Sequence, residues 1–128
     1  MTALRIEHLN LTVRDPARAA DLMVRLFGWH IRWQGPASNG GHTVHVGDDR
    51  QYLALYTGTA ATTAATFAKG QPFNHIGIAV DDLAATEARV AAAGLQPFGH
   101  GDYAPGRRFY FLDHDGIEFE MVSYGEGR

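Results

Sequence analysis

Seven histidines and no cysteine leave imidazoles and carboxylates as the groups of this chain best able to bind a metal or move a proton. Disulfides, zinc-thiolate sites and cysteine nucleophiles are excluded together. Two histidines stand out by position. His8 in "IEHLNLTV" and His75 in "FNHIGIAV" lie 67 residues apart, and each leads into an alternating apolar run that ends in valine. Near the other end, "IEFEMV" sets Glu118 and Glu120 among apolar residues. A strand carboxylate between Phe119 and Met121 is costly to bury unless a positive charge pairs with it. Two imidazoles and one carboxylate form a donor set that suits a divalent transition metal with open coordination positions. The same groups can serve as acids and bases.

Such residues act together only if the fold positions them, and the chain repeats one unit twice. Val13 corresponds to Val80 and Asp15 to Asp82, again 67 residues apart, and Gly28 corresponds to Gly94 at an offset of 66. Asp15 and Asp82 are placed to cap helix N-termini, Pro16 tolerates the first turn, and Gly28 and Gly94 fall where a helix ends in a left-handed residue. The first helix carries a stripe of Ala19, Leu22, Met23 and Leu26; the second carries a weaker one of Leu83, Ala84, Glu87, Val90 and Ala91. Three strand-like segments follow each helix, at about 30–34, 42–46 and 51–56, then at about 96–99, 108–112 and 117–123. "GPASNGG", "GDDR", "GDYAPG" and "DHDG" supply the turns. The class is therefore α+β, with two tandem βαβββ modules at about 4–57 and 73–124 joined by a linker at about 58–72.

Alternation along the first strand puts His8, Asn10 and Thr12 on one face and Leu9, Leu11 and Val13 on the other, where the helix must pack. In the last strand, Phe119 and Met121 pack inward and Glu118, Glu120 and Val122 take the histidine face. Aligning the two last strands at the offset of 66 sets Glu120 against Ala54 in "QYLALY". A histidine is repeated, but the carboxylate is not. Tyr52 and Tyr56 flank Ala54 as substrate contacts or interface aromatics. Glu118 is either a second carboxylate for proton transfer or a solvated residue near the strand end. In "GRRFYF", one of Arg107 and Arg108 can hold a substrate carboxylate or phosphate, with Tyr110 in the strand beside it. His30, His42, His45 and His100 have no repeat partner, and His45 is the best acid/base candidate among them because its strand should line the site. Trp29 and Trp33 read as core or dimer contacts.

A chain of 128 residues is long enough to bury one core without staples. Its net charge of −3 provides no basic footprint for nucleic acid. No run of about 18 apolar residues is present to span a membrane. "MTALRIEHLNLTV" reads as a first strand and not as a signal peptide, and the lack of cysteine fits a reducing cytoplasm.

The stretches "HLNLTVRD", "LFGW", "NHIGIAVDDLAA" and "GRRFYFLDHDGIEFEMV" resemble the vicinal oxygen chelate superfamily, which includes glyoxalase I, extradiol dioxygenases, fosfomycin-resistance thiol transferases and bleomycin-resistance proteins. His114 stands where the family's closing turn has proline. The resemblance implies paired βαβββ modules forming a cup-shaped mixed sheet, with His8, His75 and Glu120 as ligands of Fe, Mn, Zn, Ni or Co. From the residues themselves, Glu120 and Tyr110 are the expected catalytic groups, and Asn10, His45, Tyr52, Tyr56, Arg108 and Glu118 the expected substrate contacts. Members with a fourth ligand carry Glu or Gln at the position of Ala54. The expected function is a metal-dependent lyase, isomerase, ring-cleaving dioxygenase or thiol transferase acting on a small oxygen-chelating substrate, in a homodimer. The alternative is a metal-free cup that sequesters a small molecule, with His8 and His75 bonded to each other or to the backbone.

Overall fold

A computed structural model describes residues 4–37, 40–59, 70 and 72–124. The chain divides into two compact units, Met1–Ala65 and Thr66–Arg128. Each is a βαβββ module built on a four-stranded mixed sheet, so the class is α+β with two tandem modules. Most of the linker expected at 58–72 lies outside the described residues.

The first unit runs β1 (His8–Thr12), α1 (Pro16–Phe27), β2 (His30–Pro36), β3 (His42–Gly47) and β4 (Tyr52–Thr57). Its sheet order is β1-β4-β3-β2, with β1 parallel to β4 and the other pairs antiparallel. Asp15 starts α1 by accepting the Arg18 N–H at 3.1 Å. Gly28, at φ 70, ends the helix with its N–H on Val24 O, a conformation that a Cβ would strain. An isolated helix of 12 residues is marginal in water. Here Ala19, Ala20, Leu22, Met23 and Leu26 are buried, and α1 lies against β3 and β4. Burial of each of the three large side chains contributes about 1.5–3 kcal/mol.

The second unit runs β5 (Ile76–Ala79), α2 (Leu83–Ala92), β6 (Phe98–Tyr103), β7 (Gly106–Leu112) and β8 (Glu118–Ser123), with sheet order β5-β8-β7-β6. Asp82 caps α2 through the Ala85 N–H at 3.0 Å. The buried stripe of α2 is Leu83, Thr86 and Val90, not the set expected from the sequence; Ala84 and Ala91 are exposed. Thr86 can be buried because its hydroxyl donates to Asp82 O at 2.9 Å and accepts from Arg89 at 3.2 Å. The β6–β7 hairpin is longer than "GDYAPG" suggests. Tyr103 pairs with Gly106, which leaves Ala104 and Pro105 as the turn.

β8 is a central strand, and this matters for the carboxylates. Phe119 and Met121 are fully buried as expected, but Glu118 and Glu120 are only 6% and 9% exposed. Side chains of the neighbouring strands lean over that face, with Arg108 and His75 against Glu120. No helix among the described residues is long and apolar enough to cross a membrane.

Candidate metal centre and ligand groove

In the second unit, strand register brings Glu120 beside Gly77 of β5 on one side and Tyr110 of β7 on the other. Gly77 has no side chain to fill the space, and His75 lies two residues before it. His75 Nε2 is 2.9 Å from Glu120 Oε1, and His75 Nδ1 is 2.7 Å from Asn74 Oδ1. If Nδ1–H donates to Asn74, Nε2 turns a lone pair toward a carboxylate oxygen. Two acceptors at that distance require a cation between them, either a proton or a metal. Metal–donor bonds of about 2.1 Å at right angles put two donor atoms about 3 Å apart, so the pair fits one divalent ion.

The other oxygen of Glu120 is occupied. Arg108 Nη1 donates to Oε2 at 2.6 Å, Arg108 Nη2 donates to Gly106 O at 3.3 Å, and the guanidinium lies 4.7 Å from the Tyr103 ring centroid. Arg108, expected to hold a substrate acid group, is thus engaged within the protein. Tyr110 meets the His75 ring edge-on at 5.8 Å. Burial, helped by the charge of Glu120, pushes the Tyr110 hydroxyl above its ordinary range, so it stays protonated at neutral pH.

In the first unit, His8 Nδ1 is 2.9 Å from Glu7 Oε1, which repeats the arrangement of Asn74 and His75. That hydrogen bond holds the Glu7 carboxyl below its ordinary range against the opposing effect of burial. His8 and His45 both stack on Tyr52, at 4.8 and 4.5 Å, and Arg32 lies 4.4 Å over the same ring. Burial, with the nearby charges of His8 and Arg32, pushes the His45 imidazole below 6.5 and keeps it neutral at pH 7. An open groove of about 610 Å³ is lined by Asn10, Trp33, His45 and Tyr56 among others. Trp33 is half exposed there and sits 5.1 Å from His45, so it is a groove residue and not part of the core.

The two sheets superimpose in register. Ala54 pairs with Asn10 and His45 as Glu120 pairs with Gly77 and Tyr110. Ala54 therefore takes the place of Glu120 in its own unit, where no carboxylate stands. His75 and Glu120 are brought together; His8 belongs to the other unit. Among the described residues, no three His, Asp or Glu side chains gather closely enough to hold a metal. Glu118 is buried, not solvated at a strand end. His100 pairs with Glu87 at 2.8 Å, and Trp29 packs against Phe27. Sequence reasoning missed Glu7, Asn74, Arg32 and Tyr103. The first two had a signal, since each immediately precedes a repeated histidine.

Residues 5–121 match the model of the glyoxalase/bleomycin resistance protein/dioxygenase superfamily, and the chain belongs to that superfamily. A comparison with curated proteins gives no match. Among solved structures, the chain is similar to a glyoxylase/bleomycin resistance protein/dioxygenase domain from Frankia sp. EAN1pec, with a TM-score of 0.82 and 20% identity, covering 95% of this chain and 98% of that one. It is also similar to the fosfomycin resistance protein FosX from Listeria monocytogenes in complex with Mn(II) and 1S,2S-dihydroxypropylphosphonic acid, with a TM-score of 0.74, 16% identity, and coverage of 94% and 93%. A third similar structure is TnmS3, an antibiotic binding protein from Streptomyces sp. CB03234, with a TM-score of 0.70, 19% identity, and coverage of 96% and 98%. At these identities the likeness is one of fold.

Proposed function

We propose that the chain is a divalent-metal-dependent enzyme acting on a small substrate that chelates through oxygen, with His75, Glu120 and His8 as ligands. The observation that carries this reading is the shared presentation of the two repeated histidines. Nδ1 of His8 meets Glu7 Oε1 at 2.9 Å and Nδ1 of His75 meets Asn74 Oδ1 at 2.7 Å. If each Nδ1–H donates to that acceptor, Nε2 keeps its lone pair for a cation, as the partners of metal-bound histidines arrange. Fe, Mn, Zn, Ni or Co bound to this donor set would polarise a chelated substrate oxygen.

The remaining groups suit proton handling. His45, kept neutral by burial, can accept a proton from a substrate in the groove, and Tyr110, kept protonated, can donate a hydrogen bond. With Ala54 the chain lacks the second carboxylate that would act as base in isomerisation. Nucleophile transfer or ring cleavage therefore fits better than glyoxalase-type chemistry. His8 is assigned to the centre whether the same chain or a second copy of a homodimer supplies it, and sedimentation with metal present separates these cases. The Mn(II) in the FosX structure supports the metal reading by analogy of fold.

The test is elemental analysis of protein supplemented with each metal, beside Glu120→Gln. Bound metal and at least a tenfold weaker affinity in the variant are expected. Occupancy below about a tenth in the native chain, or unchanged affinity in the variant, would sink the reading. A metal-free binding protein is the second reading. It is favoured by the Arg108 guanidinium, which already neutralises Glu120, and by TnmS3, an antibiotic binding protein of the same fold. Ligand capture that is indifferent to chelators would select it.

A further inference from the structure

One wall of the groove in the first unit is made by an irregularity in β2. Ile31 pairs with Val46 and Trp33 with His45, so β2 advances two residues where β3 advances one. Strict alternation would set Trp33 on the face of Ile31 and the buried Val46; the extra residue, Arg32, turns it to the face of His45 instead. Arg32 itself is engaged beyond the groove lining, over the Tyr52 ring at 4.4 Å and with Nη1 donating to Asp48 O at 2.9 Å. Two residues after Trp33, Gly35 faces Thr43 without a side chain. A Cβ there would come within 2.9 Å of Trp33 Cζ2 and 3.1 Å of Cη2, so the indole lies across bare backbone. Trp33 nevertheless stays 49% exposed. A bulge and a glycine together present a flat ring to the groove.

The rest of the wall carries no charge. Asn10, Thr43 and Tyr56 line it with His45, which burial keeps neutral at pH 7. The second unit provides the contrast. Thr43 pairs with Tyr56, two residues beyond Ala54, as Arg108 pairs with Val122, two residues beyond Glu120. Thr43 and Ala54 thus stand where the other sheet has Arg108 and Glu120. Among the described residues, neither the Asn10 amide nor the His45 imidazole has a hydrogen-bond partner. We propose that this groove binds an uncharged, flat aromatic molecule, stacked on the Trp33 indole and hydrogen-bonded at its edge to Asn10 and His45. Its volume of about 610 Å³ has room for about two or three fused rings. An indole seated in advance loses little freedom when a ring settles on it, and a ring pair contributes beyond the area it buries. A charged ligand would leave its hydration for a wall that offers no counter-charge. The inference rests on the first unit alone and holds with or without a metal.

The experiment titrates the whole protein, in EDTA at neutral pH, with 2-naphthol, 2-naphthoate and decahydro-2-naphthol. The three share a two-ring skeleton: the first is flat and uncharged, the second flat and charged, the third uncharged but not flat. Equilibrium dialysis gives each Kd, and the indole N–H cross-peaks of ¹⁵N-labelled protein show which tryptophan meets the ligand. 2-Naphthol should bind with a Kd of about 1 mM or tighter, several-fold tighter than either analogue. It should shift the Trp33 cross-peak and leave that of Trp29, which packs against Phe27, in place. Trp33→Leu should weaken 2-naphthol about three- to tenfold, and it removes a half-exposed side chain outside the core. Gly35→Ala keeps the indole but lifts it from its seat, and it should weaken 2-naphthol by a similar factor. Unchanged binding in Trp33→Leu overturns the inference, as does a decahydro-2-naphthol or 2-naphthoate affinity equal to that of 2-naphthol. A Trp33 cross-peak that stays in place at saturation, or no 2-naphthol binding at all, overturns it too. None of these outcomes touches the metal-centre reading, which EDTA sets aside.

Discussion

Ala54→Glu places a carboxylate in the unit that lacks one, and the structure sets both the size and the pH dependence of its effect. Ala54 is 2% exposed and stands between Asn10 and His45 in adjacent strands. Four added heavy atoms must be fitted there, and overpacking of this kind costs about 1–3 kcal/mol. The counterpart of Arg108 is Thr43, so no guanidinium waits for the charge. Arg32, one of the charges that act on His45, is engaged with the Tyr52 ring and with Asp48 O. At pH 7.5 His45 is neutral, and the unpaired carboxylate adds about 1–3 kcal/mol more. In the native chain the folded pKa of His45 lies below its unfolded value of 6.5, so the stability it contributes is present above 6.5 and is lost as pH falls. In the variant the new carboxylate raises His45, and burial raises the carboxylate itself. Both groups then take up protons more readily in the folded state, so the penalty shrinks on acidification. Urea unfolding followed by circular dichroism in EDTA, at pH 7.5 and 5.5, measures the difference. The destabilisation should be about 2–6 kcal/mol at pH 7.5 and smaller by about 1 kcal/mol or more at pH 5.5, which corresponds to roughly one pKa unit of coupling. A penalty under about 1 kcal/mol at pH 7.5, or one that grows on acidification, would refute an enclosed position 54 beside a neutral His45.

Two further predictions concern the scaffold. Asp15→Ala and Asp82→Ala should each cost about 1 kcal/mol in urea unfolding, because each removes a cap bond of 3.1 or 3.0 Å. The caps share no partner, so the double variant should show the sum, and a coupling above about 1 kcal/mol would contradict separate helix starts. Phe119→Ala should cost about 3–5 kcal/mol, since Phe119 is fully buried and stacks on Phe111 at 5.2 Å. A loss below about 2 kcal/mol in the same assay would mean that the sheet core can collapse around the gap.

The modules were legible because their signals are local. A cap aspartate, a left-handed glycine and a two-residue alternation each act within a few positions, and the repeat showed them twice. The pairing of Ala54 with Glu120 was read from an offset in sequence and reappears independently in strand register. The polar network was not legible, because Arg108 finds Glu120 only through the register of β7 against β8. The intervening turn sets that register: Asp113 accepts the N–H groups of Asp115 and Ile117, both at 2.9 Å, and closes the hairpin at one length. A slip of one residue would turn Arg108 to the opposite face. The burial of Glu118 was not legible either, because alternation assigns a side chain to a face and not how far that face is covered.

Glu7 and Asn74 mark the boundary between what the repeat preserves and what it does not. They occupy the same place before His8 and His75, yet one is a carboxylate and the other an amide. What they share is an oxygen within hydrogen-bonding distance of Nδ1. Nothing in the packing of β1 or β5 demands such an acceptor, because both residues are exposed and neither contributes to the core. What the two acceptors act on is the imidazole: with Nδ1–H donated to them, the lone pair lies on Nε2 in both units. A requirement on tautomer that is kept while the residue type changes is what metal binding by both histidines would impose.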